Sequence, residues 1–564
     1  MKKQFLATVL GCAMSLSLFG CANNAPAKTE EKAPETEEAA NPLIRNTQFG
    51  QVEGFEENGV DVFYGVPYGM EPEGELRWQA PVDPEAWDAP LDCKEKEEVA
   101  LQAASVTDED GNTTVEAVGT TNSLTMDIYT SAEAQKAPVV VFVHGGNNQT
   151  GNSFEIPGND MVKKDGIVYV SVNYRLGLLG FNNLPALLDD HNNTGNFSML
   201  DLAKSLQWVR DNIENFGGDS QNVTISGFSA GGRDVMAMLV SPTFKGLFDK
   251  AIAYSGGMTI ADSTDSMNMI AKTMAPLVVE DGKAADEEEA KEFLLTDSDE
   301  VRDYLYGLEA GRIVKLFPNA GIRMAKFPHL YNDGVVLPEG GFENAEYVND
   351  VPLIMVTGSE EFSMFGLFDP SIDSMKDVDA SKRFINYYGG EFYRNFNTQL
   401  SAEKMGSYKS NMYLCQINYG DENSGYQIPT FGAFHGIFVP LISAANNYAG
   451  LYDFSEASYQ ELSKAYNEYL LSFLQTGTPS SQSAGVEWNA WKNDARDTLV
   501  LDGKDGKAVI EVKDVYKSNA DIIKEIEADP LDENDKKTII STILNGRWFS
   551  ADLDAHFKTP SLWN

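Results

Sequence analysis

The stretch VTISGFSAGG at residues 223–232 constrains the fold more than any other part of the chain. Residues 223–226 are mostly branched or apolar and predict a short β-strand, whereas residues 230–240 predict a helix. Between the two, Ser229 is the centre of a G-x-S-x-G pattern. A sharp strand-to-helix turn of this kind holds a serine in a strained conformation with its hydroxyl exposed, because Cβ atoms on the flanking glycines would collide with the turned backbone.

The pattern alone also fits a glycine-rich turn that only caps a helix, so its context matters. Apolar runs alternate with helical segments such as residues 200–216, and these runs lie at residues 138–143, 167–172, 251–254 and 351–356. Continuous apolar runs of this length are typical of strands buried on both faces. The alternation predicts an α/β fold with a mainly parallel central sheet flanked by helices.

Several stretches outside the predicted sheet have their own expected structure. Residues 260–330 predict helices at 267–277, 287–295 and 298–308, and we interpret them as an insertion that forms a lid or gorge wall. Residues 93–122 predict a long surface loop.

Towards the end of the chain, residues 455–476 predict a long helix with Ser455 as its N-cap. The tail at 519–564 predicts helices at 519–527 and 533–545, followed by an irregular aromatic end. We therefore expect a main domain at residues 44–518 and a C-terminal helical extension at 519–564.

The N-terminus predicts a targeting segment. Lys2 and Lys3 precede a short apolar run, and the letters LFGC at residues 18–21 have the form of a bacterial lipoprotein signal. We expect a signal peptide at 1–20, lipid on Cys21, a disordered acidic tether at 21–43, and attachment to the outer face of the cell membrane. The alternative is an ordinary secretory signal with an incidental cysteine.

Charge and cysteine content limit the partners. The formal net charge of −42 argues against a nucleic-acid partner, and we expect membrane contact only through the N-terminal lipid. Cys93 and Cys415 could form one disulfide, but we favour two free thiols. No Cys/His cluster has metal-ligand spacing, so we expect no metal.

Eight short motifs follow one another along the chain. They are FYGVPY at 63–68, LRW at 76–78, HGG at 144–146, NYRLG at 173–177, NFGGD at 215–219, GFSAGG at 227–232, SEEF at 359–362 and GAFHG at 432–436. Together they resemble the type-B carboxylesterases of the α/β-hydrolase fold, which include bacterial para-nitrobenzyl-type esterases and animal cholinesterases. The resemblance covers about residues 45–500.

The resemblance implies a catalytic triad of Ser229, Glu361 and His435, in the chain order of this fold. Glu360 competes with Glu361 as the acid, and alignment through residues 352–353 favours Glu361. The family's activity requires neither a metal nor an organic cofactor.

The resemblance also implies an oxyanion hole formed by the backbone N–H groups of Gly146, Asn147 and Ala230. Asn147 replaces the last glycine of the family's oxyanion loop, a change that asparagine can accommodate because it tolerates positive φ better than most residues.

Two further departures affect the surroundings of the triad. Phe228 replaces the family's glutamate before the nucleophile, and Phe438 stands where many members carry an acidic residue. We expect the two phenylalanines to make the substrate pocket more apolar. Ser123 stands where the family has a loop cysteine, so we expect that disulfide to be absent. The loop at 93–122 contains no tryptophan, so cholinesterase activity is disfavoured.

The sequence therefore predicts a serine carboxylesterase that acts on small to medium apolar esters through an acyl-enzyme. The alternative is a catalytically weak or silent adhesion or binding protein of the same fold. A third hypothesis, with the same chemistry, is an esterase specialised for a glycan or plant-phenolic ester.

Overall fold

The computed structural model describes residues 41–108, 111–188, 193–317, 327–342, 345–444, 446, 448, 450–544 and 550–559. The predicted signal peptide, Cys21 and nearly all of the tether lie outside these ranges. Within them, no helix is both long enough and apolar enough to cross a membrane.

Most strands of the described chain join one large sheet. The strands are β1 (Ile44–Asn46), β2 (Gln51–Glu53), β3 (Phe55–Glu57), β4 (Val60–Pro67), β5 (Leu91–Asp92), β6 (Gln102–Thr107), β7 (Thr113–Val118), β8 (Thr125–Thr130), β9 (Ala137–Val143), β10 (Val168–Val172), β11 (Gly218–Phe228), β12 (Lys250–Tyr254), β13 (Leu353–Gly358), β14 (Met412–Ile417), β15 (Thr498–Lys504) and β16 (Lys507–Lys513). The large sheet has eleven strands in the order β16-β15-β14-β13-β12-β11-β9-β10-β8-β4-β3.

The centre of this sheet is parallel, as predicted. All pairs from β10 through β9 and β11 to β15 are parallel, whereas β16 at one edge and β8, β4 and β3 at the other are antiparallel. The carboxyl ends of the parallel strands therefore meet at one edge, where sites of open α/β sheets form.

Helices follow most of these strands. They are α1 (Asn159–Asp165), α2 (Gly177–Gly180), α3 (Phe197–Asn212), α4 (Ala230–Met238), α5 (Ser263–Glu280), α6 (Glu287–Leu294), α7 (Asp299–Gly307), α8 (Ala310–Val314), α9 (Ser363–Gly366), α10 (Val378–Asn397), α11 (Gln399–Lys404), α12 (Val439–Ile442), α13 (Ala457–Thr476), α14 (Asn519–Ala528), α15 (Glu533–Thr538) and α16 (Ala551–Phe557). The predicted helices at 267–277, 287–295 and 298–308 correspond to α5, α6 and α7.

Apolar side chains cover both faces of the sheet. On β9, Val139, Val141 and Val143 enter the cluster on one face, and Val140 and Phe142 enter the cluster on the other. Burial on both faces explains why this strand is a continuous apolar run in the sequence.

The strand that precedes the predicted nucleophile is longer than predicted. β11 begins at Gly218, which pairs with Ala137, and the ladder then resumes at Val223 opposite Val139. The residues between these two pairs form an irregularity in the strand. This irregularity explains the turn-like letters GGDSQN at residues 217–222, just before the predicted strand start at residue 223.

The loop prediction for residues 93–122 was wrong. β6 and β7 form an antiparallel hairpin there, with pairs that run from Gln102 and Val118 to Thr107 and Thr113. Most residues of the hairpin are exposed or half-buried, so the apolar alternation that indicates a strand is missing from the sequence.

Two features near the C-terminus also differ from the prediction. α13 begins at Ala457 after Glu456, so Ser455 is not its N-cap. The irregular end predicted after residue 545 was also wrong, because α16 lies within it and Ser550 is its N-cap. The predicted tail helices are confirmed as α14 and as α15, which continues as a π-helix at Ile539–Leu544.

The tail packs on the region that follows the predicted acid. Ile522, Ile526 and Ile543 share a buried cluster with Phe384 of α10 and with Phe362, which directly follows Glu361. Cys93 and Cys415 are both free and buried, so the preference for two thiols is confirmed.

Candidate active site

Ser229 lies at the sharp turn between β11 and α4. Its φ of 56° and ψ of −114° are outside the regions that L-residues normally adopt. The Ser229 N–H donates to Tyr254 O at 2.8 Å, and the N–H of Arg233 donates to Ser229 O at 3.0 Å. Added Cβ atoms would collide with Gly231 O if placed on Gly227 and with Val143 O if placed on Gly231, as the sequence pattern predicts.

Glu361 and His435 meet at the carboxyl ends of β13 and β14. Nδ1 of His435 contacts Oε2 of Glu361, whose carboxylate is fully buried. A donor at Nδ1 leaves Nε2 as an acceptor. Within the described residues, Nε2 is buried and has no hydrogen-bond partner, so it is free to take a proton.

Three donors hold the other oxygen of the Glu361 carboxylate. Oε1 accepts from Ser255 Oγ at 2.6 Å, from the Gly358 N–H at 2.6 Å and from Thr357 Oγ1 at 3.1 Å. Hydrogen bonds to the charged form stabilise a buried carboxylate. Sequence reasoning assigned no role to Ser255, although it follows β12 directly at the same edge of the sheet.

Glu360 occupies a different environment. Its Oε1 accepts from Asn386 Nδ2 at 3.0 Å, and its Oε2 accepts from the Ala433 N–H at 3.3 Å. Burial, together with the nearby charge of Asp421, raises the pKa of Glu360 to about 7. The geometry therefore places Glu361, and not Glu360, on the imidazole.

Aromatic rings surround His435. The ring centroids of Phe228, Phe365 and Tyr393 lie 4.7, 5.0 and 5.9 Å from that of the imidazole. Phe228 also contacts Phe438 edge-on at 5.0 Å. Both phenylalanines are only 1% exposed: Phe228 packs against the imidazole and Phe438 packs against Phe228, while their contact with substrate stays a prediction.

The predicted oxyanion loop follows β9. Gly146 and Asn147 have φ values of 98° and 57°, so Asn147 adopts the left-handed conformation expected of it. Among the hydrogen bonds of the described residues, none has the backbone N–H of Gly146, Asn147 or Ala230 as donor. These three N–H groups remain available to a ligand.

His144, which opens this loop, has a structural environment. Its Nδ1 lies 2.8 Å from Gly145 O, its ring stacks on Tyr174 at 4.6 Å, and burial lowers its pKa to about 4. The Gly145 N–H donates to Glu155 Oε2 at 2.7 Å, a contact that no sequence pattern indicated. No group of three or more His, Cys, Asp or Glu side chains in the described chain could hold a metal ion.

Comparisons with known proteins agree on one family. The model of the carboxylesterase family matches residues 41–389. The para-nitrobenzyl esterase of Bacillus subtilis is 26% identical over 488 residues, which cover 82% of this chain and 95% of that protein. The acylcarnitine hydrolase of Mus musculus is 27% identical over 488 residues, which cover 78% and 84% of the two chains.

Solved structures share the fold. A PNB esterase structure superposes with a TM-score of 0.67 at 24% identity, covering 86% of this chain and 99% of its own. A carboxylesterase of Geobacillus stearothermophilus gives a TM-score of 0.67 at 21% identity, covering 83% and 98%.

The raised pKa of Glu360 predicts a pH-dependent stability. The folded protein keeps a proton on Glu360 that the unfolded chain releases near the ordinary pKa of 4.5. The contribution of this proton to the free energy of unfolding is therefore complete below pH 4.5 and is lost as the pH rises through about 7. Glu360→Gln removes the titration. Relative to wild type, its free energy of unfolding should rise by about 1–3 kcal/mol between pH 4.5 and 8 in urea unfolding. The exposed Glu292→Gln serves as control, and equal behaviour of the two variants would contradict the assignment.

Proposed function

Because this chain belongs to the carboxylesterase family and is a carboxylic ester hydrolase, we propose that it cleaves esters through an acyl-enzyme formed on Ser229. The main support for this proposal is the contact between His435 and Glu361. It uses Nδ1 of the imidazole and leaves Nε2 without a partner among the described residues. Ser229 lies next to Phe228, whose ring packs on that same imidazole.

In the proposed reaction, Nε2 of His435 takes the proton of Ser229 Oγ as the oxygen attacks the ester carbonyl. The tetrahedral intermediate collapses, the C–O bond to the alcohol breaks, and the imidazolium returns the proton to the leaving oxygen. Water then attacks the acyl-enzyme by the same route and releases the acid. Glu361 fixes the tautomer and stabilises the imidazolium.

The N–H groups of Gly146, Asn147 and Ala230 are the proposed donors to the oxyanion. Each is a backbone group that has no protein acceptor within the described chain. Ala230 is the first residue of α4, so the helix N-terminus adds a favourable field for developing negative charge. One such donor contributes about 3–4 kcal/mol in serine hydrolases.

Small to medium apolar esters are the proposed substrates. The support is the set of aromatic side chains within 6 Å of the imidazole centroid, namely Phe228, Phe365 and Tyr393. Similar proteins are named for para-nitrobenzyl ester and acylcarnitine hydrolysis.

We also propose that the enzyme is exported and anchored by lipid on Cys21 at the outer face of the bacterial cell membrane. The support is the sequence alone, in which a short apolar run ends in LFGC at residues 18–21. The acidic segment that follows would act as a tether.

Ser229→Ala tests the nucleophile. In a soluble form beginning at residue 22, hydrolysis of p-nitrophenyl esters from acetate to long acyl chains should fall at least ~10³-fold, because no covalent intermediate can form. A fluorophosphonate should label wild type on Ser229 and leave the variant unlabelled. If wild type neither turns over nor is labelled, the binding-protein alternative is favoured instead.

Glu361→Gln and Glu360→Gln form a matched pair at adjacent positions. The first should lower kcat by about 10³–10⁴-fold, because the amide cannot stabilise the imidazolium and favours the wrong tautomer. The second should leave kcat within about 10-fold, since Glu360 does not contact the imidazole. Equal losses in steady-state kinetics would contradict the assignment of Glu361 as the acid.

Cys21→Ser tests the anchor. In cells fed labelled palmitate, the full-length wild type should incorporate label and the variant should not, because its hydroxyl cannot take the thioether-linked lipid. Cys93→Ser is the matched control and should keep the label, since Cys93 is buried in the folded chain. Label retained by Cys21→Ser would exclude this attachment site.

A further inference from the structure

We propose that Arg233 is a positioning residue that holds the oxyanion loop in its working conformation through the side chain of Asn147. The inference rests on the proposed function, because the loop matters only if it binds an oxyanion. It adds to that function a residue outside the triad and the oxyanion hole.

The link between the two residues is direct. Nη2 of Arg233 donates to Oδ1 of Asn147 at 2.8 Å. Arg233 is 1% exposed and Asn147 is 5% exposed, so water does not compete strongly for this bond. Asn147 Nδ2 in turn donates to Gln149 Oε1 at 2.8 Å, which ties the side chain to its own loop.

The neighbouring residues repeat the arrangement. Nδ2 of Asn148 donates to Oδ1 of Asp234 at 2.9 Å, and Oδ1 of Asn148 accepts from Tyr174 OH at 2.9 Å. Two consecutive loop residues are thus held by two consecutive residues of α4. The two hydrogen bonds span 86 residues of sequence in each case.

The loop needs such support because its backbone is unfavourable. Asn147 and Asn148 have φ values of 57° and 58°, and the resemblance places glycine at position 147. Left-handed conformations of non-glycine residues persist where the surroundings determine them. The side chain that makes Asn147 less adaptable than glycine is also the one that Arg233 holds.

Arg233 also connects the loop to the nucleophile. Its own N–H donates to Ser229 O at 3.0 Å, so the same residue bonds the turn that carries the nucleophile and the loop that carries the donors. An oxyanion hole contributes only if its donors are fixed before the reaction. The guanidinium of Arg233 therefore ties the oxyanion loop to the first turn of α4, whose N-cap is Ser229.

The test is a double-mutant cycle with Arg233→Met and Asn147→Gly, assayed on p-nitrophenyl acetate. Each single variant should lower kcat about 10–100-fold with KM changed less than about 3-fold, because the loop acts on the transition state. The double variant should lose little more than either single variant, since both remove the same hydrogen bond. Arg233→Lys keeps the charge but not the planar donor group, and should retain more activity than Arg233→Met.

Arg394 provides the control. It is a buried arginine, 5% exposed, paired with Glu391 on α10. Arg394→Lys should leave kcat within about 2-fold. If Arg233→Met does not fold, the cycle is run with Arg233→Lys, so that folding does not prevent the test.

Three results would overturn the inference. They are full activity of Asn147→Gly, unchanged kcat in a folded Arg233 variant, and an Arg233 effect of the same size in the Asn147→Gly background. Failure of the proposed function looks different, because wild type itself would then show neither turnover nor fluorophosphonate labelling.

Discussion

The strained backbone of Ser229 is the constraint on which the rest of the site depends. Ser229 lies between β11 and α4, and Tyr254 O of β12 accepts its N–H. Glycines at 227 and 231 permit the close approach of the turn and of β9. Glu361 and His435, the proposed acid and base, lie at the same edge of the sheet, since they follow the neighbouring strands β13 and β14.

The proposed triad is surrounded by strong hydrogen bonds on one side chain and by aromatic side chains on another. Glu361 receives three hydrogen bonds on one oxygen and the imidazole on the other, so its buried charge is satisfied. The resemblance would place carboxylates at positions 228 and 438, but Phe228 packs on the imidazole and Phe438 packs on Phe228. Low local polarity strengthens the interaction between Glu361 and His435.

Elements far from the chemistry also support this edge of the sheet. The tail after residue 518 buries isoleucines against α10 and Phe362, immediately beside the acid. From the helix that follows Ser229, Arg233 and Asp234 of α4 hydrogen-bond to Asn147 and Asn148 of the proposed oxyanion loop. Both the C-terminal tail and α4 therefore pack on or bond to residues next to the proposed site.

Local sequence determined much of this protein. The pattern around Ser229 and the apolar strand runs were sufficient for the parallel sheet, because each signal lies within a few neighbouring residues. The three residues of the proposed triad came from the resemblance of the ordered motifs to type-B carboxylesterases. The hairpin β6–β7 was not predicted, because its residues are largely exposed and lack the apolar alternation of a strand.

Alignment favoured Glu361 over Glu360, but only the tertiary structure brings its carboxylate to His435, 74 residues away, and the side chain of Arg233 to Asn147. Adjacent residues that leave a strand point in different directions, and the sequence does not encode those directions locally. Contacts between distant segments depend on how the loops pack at the sheet edge, and that packing exists only in the folded chain.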